Sequence, residues 1–179
     1  CTNGTSALQV SLRLVGVEVN TEVIVPSLTF IAPVNAIMYN NATPIFMDVD
    51  KYYNLDTIKT VDFIKNETHY KNGHSYNNKT KKRISAILPV HMWGNAVDLG
   101  DLISICEERK IPIVEDSSES LGTSYIKNQY KGQHTGTIGK VGCLSFNGNK
   151  IITTGGGGMI LTNDSELAEK AKYLTTQAK

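Results

Sequence analysis

The alternation of short apolar runs with amphipathic stretches is the feature that most constrains the fold of this chain. Runs typical of buried strands occur at 23–25, 45–47, 84–90, 111–114, 142–146 and 159–162. Between them, apolar residues recur at helical spacing over 8–15, 30–39, 55–64, 99–109 and from about 165. Strands that alternate with helices favour parallel pairing, because each helix returns the chain to the same end of the sheet. The pattern therefore predicts an α/β fold with a largely parallel sheet.

Composition is typical of one soluble globular domain and excludes several kinds of partner. Lys and Arg number 18 against 17 Asp and Glu, so the charge gives no argument for a nucleic-acid or anionic membrane partner. No apolar run approaches the roughly 20 residues of a membrane span, and no leader is recognisable. Three scattered cysteines predict neither a disulfide framework nor a metal site, which favours a reducing, cytoplasmic location.

Both ends of the chain lie in or close to a predicted helix. It opens at Cys1, close to a helical segment, and it closes over 168–179 in a helical pattern without a stop signal. We therefore expect a fragment of a longer protein.

The stretch Lys65–Arg83 interrupts the alternation of strands and helices. It has no aliphatic residue and is dense in lysine and asparagine. This composition is typical of a solvated loop between a helix and a strand. The basic cluster at its end is the alternative feature, because it could hold a phosphate group; it comprises Lys79, Lys81, Lys82 and Arg83.

Two segments in the first two thirds of the chain carry residue types that bind ligands. Asn3–Leu8 is a small polar turn that opens a helix, where N–H groups and the helix dipole attract an anion. An ordinary N-cap by Thr5 or Ser6 also explains this turn. Ile113–Glu119 delivers carboxylates to the end of an apolar strand, where open α/β sheets bind ligands. Capping of the following segment is the alternative role for these carboxylates.

Two further segments lie close together near the end of the chain. Leu144–Lys150 places a lysine after a strand and a glycine-containing turn, a pattern that also fits a surface charge. Thr153–Met159 contains four consecutive glycines, which permit close backbone approach or a flexible loop. Each of these motifs alone leaves both interpretations open.

In order and spacing, these segments resemble the fold-type I pyridoxal-phosphate enzymes, and most closely the DegT/DnrJ/StrS-type nucleotide-sugar aminotransferases. The resemblance covers essentially the whole chain and includes GTSAL, PSLTF, VEDSSESLG, SFNGNK and TTGGGGM. It implies that residues 1–179 form the cofactor-binding large domain, with a mostly parallel central sheet and helices on both faces. That domain would be incomplete at its N-terminus, and the C-terminal small domain would be absent.

The resemblance also implies which residues are catalytic. Asp116 matches the aspartate that keeps the ring nitrogen of pyridoxal 5'-phosphate protonated, so that the ring can act as an electron sink. Lys150 matches the lysine that forms a Schiff base with the cofactor. Some members have histidine at that position and dehydrate sugars, so Lys150 argues against dehydration here.

Further cofactor-binding residues follow from the same resemblance. Thr5 and Ser6 at the helix start, and the hydroxyl of Ser145, match residues that contact the cofactor phosphate. Phe30 matches the aromatic residue that packs on the cofactor ring. Glu119 lies where relatives have Gln, Glu or His near the ring hydroxyl. Gly156 departs from many relatives, which have Glu there, and this leaves the chemistry intact.

The resemblance implies a substrate class as well. The sequence of residues 145–159 is most similar to the corresponding segment of enzymes that aminate C4 of UDP-linked 2-acetamido-2,6-dideoxy-4-ketohexoses. These enzymes act on routes to legionaminic acid or bacillosamine. GDP-4-keto-6-deoxymannose (the perosamine type) is the alternative substrate. L-glutamate is the expected amino donor and a homodimer the expected assembly. His91, Trp93 and Asn147 could face the sugar, and Trp93 could equally serve in packing.

Two other functional classes stay open. A non-catalytic module that binds nucleotide sugars or acts in regulation could have kept the same fold. A lyase or dehydratase could use the same cofactor.

Overall fold

The computed structural model describes residues 1–176 and confirms the α/β fold class. Each sequence-predicted strand and helix occurs within a few residues of its expected position, although the last three residues of the predicted final helix lie outside the described part. The elements are α1 (Gly4–Leu14), β1 (Glu22–Pro26), α2 (Ile31–Tyr39), β2 (Thr43–Met47), α3 (Thr57–Asn66), β3 (Thr68–Lys71), β4 (His74–Asn77), β5 (Arg83–Ile87), α4 (Gly100–Arg109), β6 (Val114–Asp116), β7 (Val141–Ser145), β8 (Gly158–Leu161) and α5 (Ser165–Thr175).

The strands form two mixed sheets that are linked by isolated bridges. One has the order β2-β1-β5-β4-β3 and the other the order β6-β7-β8. β1 runs parallel to β2 and β5, and β6 runs parallel to β7, whereas β3, β4 and β8 pair antiparallel. Parallel bridges Ile87–Ile113 and Val90–Asp116 connect β5 to β6. The carboxyl ends of β1, β5, β6 and β7 therefore lie on one edge.

Helices cover both faces of the sheet, as the family resemblance implies. Alternate residues of β1 show this, because side chains of neighbouring strand residues point to opposite faces. Val23 and Val25 pack in a core with α1 and α2. Ile24 packs in a second core with α3 and α4. All five residues of β1 are buried, as expected for a strand with both faces covered.

The stretch Lys65–Arg83 contains a β-hairpin, so its interpretation as a solvated loop is wrong. β3 and β4 pair with each other, and β4 extends the sheet by pairing with β5. The turn is Asn72-Gly73, with φ of 51° and 84°. Asn-Gly is preferred in two-residue hairpin turns because both positions require positive φ. These strands have no aliphatic residues, so hydrophobic patterning does not predict them. The Asn72-Gly73 dipeptide does indicate a hairpin at this position.

No helix within residues 1–176 is long and apolar enough to cross a membrane.

Candidate active site

A cavity of about 140 Å³ lies at the carboxyl edge of the parallel strands. It brings together segments that are far apart in the sequence: the starts of α1 and α2, the end of β6, and the end of β7 with the turn that follows. Most of the sequence-predicted site residues line it, namely Thr5, Phe30, Asp116, Glu119, Ser145 and Lys150. The edge assembles them because the parallel strands end there.

Ser6 is the predicted site residue that does not line this cavity. Asn3, and not Thr5 or Ser6, caps α1, since its Oδ1 accepts the N–H of Ser6 at 2.8 Å. The Ser6 hydroxyl lies 3.3 Å from that of Thr2. Thr5 therefore lies at the cavity, whereas the Ser6 hydroxyl lies beside Thr2.

The start of α1 and the end of β7 are closely packed around Gly4. A Cβ atom at Gly4 would come within 2.7 Å of Ser145 Cβ and 3.0 Å of Ser145 Oγ. The Oγ of Ser118 would lie 3.4 Å from the same atom. The first N–H groups of a helix have no intrahelical partner and lie at the positive end of its dipole. Together with these hydroxyls they form a cradle suited to an anion such as a phosphate.

The glycine-rich run packs next to this cradle. Gly158 donates its N–H to the carbonyl of Cys1 at 2.9 Å, so the run lies against the residues that precede α1. A Cβ atom at Gly158 would overlap the carbonyl group of Asn3. Glycine at this position therefore permits the close approach of two backbones, which was one of the two interpretations of the motif.

Asp116 ends β6 and is only 4% exposed. Its N–H donates to the carbonyl of Pro89 at 2.9 Å, and its carbonyl accepts the N–H of His91 at 3.0 Å. Its Oδ1 accepts the N–H of Ser118 at 3.0 Å. Burial raises the pKa of this carboxyl, and the Ser118 hydrogen bonds and the Lys150 charge offset only part of that effect. Such a carboxylate favours a cationic partner in the cavity.

Lys150 projects into the same cavity from the turn after β7. Its Nζ lies 3.6 Å from Glu119 Oε1, and its side chain is 12% exposed. The same Nζ lies 4.9 Å from the centroid of the Phe30 ring, which contributes a cation–π contact. The ammonium group is therefore held between a carboxylate and an aromatic face.

Trp93 and Asn147 lie at the cavity or beside it. Asn147 lines the cavity. Trp93 donates its backbone N–H to Glu119 Oε2 at 3.1 Å and has a left-handed φ of 52°. Its side chain is 60% exposed and contacts the ring of Tyr53 edge-on at 5.2 Å. This exposure excludes a role for Trp93 in the buried core.

His91 does not face the cavity, so the expectation that it contacts a sugar is wrong. Its side chain is completely buried, and both ring nitrogens already have partners, Glu115 and the N–H of Val97. Sequence reasoning singled out Glu115 only as a carboxylate next to Asp116. The alternation of side chains along a strand indicates that these two carboxylates point to opposite faces.

The residues at this cavity fit pyridoxal 5'-phosphate, which needs three kinds of protein group. The close-packed start of α1 suits its phosphate, since a Cβ atom at Gly4 would fill that space. The buried carboxyl of Asp116, with its raised pKa, suits a protonated ring nitrogen. The amine of Lys150, beside the Phe30 ring, is placed for covalent attachment to the cofactor.

Comparison with known proteins leads to one family. The model of the DegT/DnrJ/EryC1/StrS aminotransferase family matches residues 1–179. GDP-perosamine synthase of Caulobacter vibrioides is 38% identical over 178 residues, which are 99% of this chain and 42% of that protein. UDP-N-acetyl-3-dehydro-alpha-D-glucosamine 3-aminotransferase of Acidithiobacillus ferrooxidans is 33% identical over 175 residues, which are 97% of this chain and 42% of that protein.

A solved structure agrees with these matches. The DegT DnrJ EryC1 StrS aminotransferase from Brucella abortus has a TM-score of 0.83 at 30% identity, over 98% of this chain and 44% of that one. The chain therefore spans about two fifths of the length of these relatives. Aminotransferases of this family depend on pyridoxal phosphate. Because the family match runs from the first residue to the last and the site residues fit that cofactor, the chain belongs to the DegT/DnrJ/EryC1/StrS aminotransferase family.

Proposed function

We propose that this chain forms the cofactor-binding part of a pyridoxal-phosphate-dependent aminotransferase that acts on a nucleotide-linked keto sugar. The observation that carries the proposal is the meeting of three groups in one cavity: the Gly4–Ser145 cradle, the buried carboxylate of Asp116, and the amine of Lys150. These groups come from separate parts of the chain. A non-catalytic module would not need a lysine held at the carboxyl edge beside a buried aspartate.

Each residue has a distinct task in this proposal. Bound pyridoxal phosphate supplies an electron sink, which the protein groups then control. Asp116 would hold a proton at the ring nitrogen, and the hydroxyl of Ser145 would donate a hydrogen bond to the phosphate. Lys150 Nζ would attach the cofactor and would move a proton in each half of the transfer. Phe30 would pack on the ring and limit its motion.

We propose C4 of a nucleotide-linked 4-keto-6-deoxyhexose as the acceptor and L-glutamate as the donor. A UDP-linked 2-acetamido-2,6-dideoxy-hexos-4-ulose stays the predicted substrate, because the sequence of residues 145–159 resembles that of enzymes for this substrate. The 38% identity with GDP-perosamine synthase supports the GDP-linked alternative. Asn147 and Trp93, beside the cavity, are the residues of this chain that we place against the sugar. Such a reaction suits the cytoplasm, and we retain that prediction.

A homodimer remains part of the proposal. Ile31, Ile151 and Ile152 are large apolar residues close in sequence to Phe30 and Lys150, and they are 68%, 63% and 58% exposed. Exposed apolar surface of this kind marks an interaction site. We propose that a second copy of the chain covers these residues. Sedimentation of the full-length gene product tests this, since a monomeric mass would contradict it.

The function is tested with the full-length gene product and pyridoxal phosphate. Addition of the cofactor should produce an absorbance band near the visible edge, and L-glutamate should convert that band with release of 2-oxoglutarate. A UDP-linked or GDP-linked 4-keto sugar should then restore the band and appear as an amino sugar by mass spectrometry. A protein without the band would be a binding module. Sugar dehydration without 2-oxoglutarate would indicate the dehydratase alternative.

The cradle gives a separate prediction about cofactor affinity. Gly4→Ala should raise the dissociation constant for pyridoxal phosphate by roughly tenfold or more, about 1.4 kcal/mol, since the added methyl group displaces Ser145. Gly100→Ala is the matched control, because Gly100 also begins a helix and its Cβ would meet its nearest neighbour, Asp98, at an ordinary 3.6 Å. Fluorescence titration of both variants measures the effect. Equal affinity in the two variants would exclude the cradle as the phosphate site.

A further inference from the structure

His91 and Glu115 form a buried hydrogen-bonded pair on residues that adjoin Asp116. His91 Nε2 lies 2.8 Å from Glu115 Oε2, and both side chains are fully buried. The N–H of Val97 donates to His91 Nδ1 at 3.0 Å, so that this nitrogen is an acceptor and carries no proton. The ring is therefore the tautomer with its proton on Nε2, which it donates to Glu115.

Glu115 is fully occupied as an acceptor. Besides the His91 ring, its two oxygens accept the backbone N–H groups of Gly136 (2.9 Å), Ile138 (2.8 Å) and Gly139. Four donors match the four lone-pair positions of an ionised carboxylate. Burial alone would raise the pKa of Glu115, but the hydrogen bonds from the His91 ring and from the Gly139 and Gly136 N–H groups bring it below its usual value. The carboxylate therefore stays ionised and fixed in direction.

His91 holds two consecutive residues of β6. Its backbone N–H donates to the carbonyl of Asp116 at 3.0 Å, while its ring binds Glu115. Neighbouring residues of a strand point to opposite faces, so restraint of one side chain and of the next carbonyl limits rotation of the strand about its axis. That rotation determines the direction in which the Asp116 carboxylate enters the cavity.

The other ring nitrogen holds the loop 91–97, which reaches Lys150 through Glu119. Within this loop, Trp93 adopts a left-handed backbone and donates its N–H to Glu119 Oε2. The other oxygen of Glu119 lies 3.6 Å from Lys150 Nζ. The His91 ring therefore connects to β6, next to Asp116, through Glu115, and it connects to Glu119, which faces Lys150, through the loop 91–97.

We propose that His91 is a positioning residue, which sets the direction of the Asp116 and Glu119 carboxylates through its paired ring nitrogens. The proposal rests on the proposed function, because these carboxylates face a cofactor only in that account. It requires one donor and one acceptor on the side chain at position 91. An apolar side chain of similar size would fill the space and supply neither.

Two variants of the full-length gene product separate positioning from packing. His91→Leu fills the site without hydrogen bonds, whereas His91→Gln keeps one donor and one acceptor. In the cofactor-free protein, His91→Leu should speed amide exchange of the peptides 91–97 and 114–120 by roughly tenfold, and His91→Gln by less than about threefold. Exchange of β1 should not change, and His74→Leu, on the exposed hairpin, is the matched histidine control.

The second measurement uses the enzyme with its cofactor bound. His91→Leu should lower kcat by roughly tenfold to a hundredfold at nearly unchanged cofactor affinity, and His91→Gln should recover most of that loss. Equal effects of the two variants would reduce His91 to a packing role and overturn the proposal, as would a His91→Leu variant with wild-type exchange and kcat.

A third measurement needs no variant and covers the case in which His91→Leu does not fold. A ¹⁵N imidazole spectrum of the wild-type protein should show one buried histidine with its proton on Nε2 and none on Nδ1. A proton on Nδ1 would overturn the proposal. The exchange and imidazole measurements use no cofactor, so a protein that failed to bind pyridoxal phosphate would contradict the proposed function without deciding the role of His91.

Discussion

Replacement of Lys150 by alanine is expected to lower the rate of amino transfer by roughly 10⁴-fold or more. The variant loses both the amine that attaches the cofactor and the group that moves protons. The surroundings of Nζ should stay folded, because Glu119 and Phe30 contact solvent or the cavity as well as the lysine. Turnover of glutamate and a keto sugar by the full-length gene product measures the loss.

The matched control for this variant is Lys140→Ala. Lys140 is the nearest preceding lysine in the chain, but its Nζ pairs with Asp164 at 2.6 Å and it does not line the cavity. Its loss should leave turnover within about twofold, because an exposed ion pair contributes little to stability. If the two variants lost activity equally, Lys150 would not be the catalytic amine.

Asp116→Asn is expected to lower kcat by roughly 10² to 10³-fold while the protein keeps most of its cofactor affinity. The amide has the shape of the carboxylate and can still accept the Ser118 N–H, so β6 should be undisturbed. It carries no charge, however, and cannot hold a proton at a ring nitrogen. The absorbance titration and the rate are measured on the same full-length preparation.

Asp48→Asn is the matched control for the aspartate. Asp48 directly follows β2, as Asp116 ends β6, but it is exposed and pairs with Lys59 at 2.6 Å. We expect its turnover to stay close to that of the wild-type protein. Near-wild-type turnover of Asp116→Asn, in contrast, would remove Asp116 from the mechanism.

The order of elements was predictable because burial on both faces of a sheet leaves a strong pattern. The run 84–90 and the run 142–146 are apolar since helices cover them from both sides, and the amphipathic stretches between them are periodic for the same reason. The hairpin at 68–77 was missed because its outer residues face solvent and need no aliphatic side chains. Only its Asn72-Gly73 turn indicated it.

The candidate site was predictable where its residues come from strand ends. Asp116 and Ser145 end neighbouring parallel strands, so the topology alone brings them together. The position of Ser6 was not predictable, because the residue at which α1 begins decides which hydroxyl faces the cavity, and the cap is Asn3, two residues before Thr5.

The role of His91 could not be predicted from the sequence. Its partner Glu115 lies 24 residues away, on a strand that reaches it only after α4 has crossed the sheet. A histidine that faces a ligand and a histidine that binds a buried carboxylate have the same neighbours in the sequence. Only the burial of both side chains and the Val97 hydrogen bond distinguish these two cases.

We propose that Lys150 is the residue to which the cofactor is attached. Borohydride reduction of the full-length gene product loaded with pyridoxal phosphate, followed by peptide mapping, tests it most directly. We expect a single stable adduct on the peptide that contains Lys150, in an amount equal to the bound cofactor. An adduct on Lys140, or on no peptide of the segment 141–161, would contradict it.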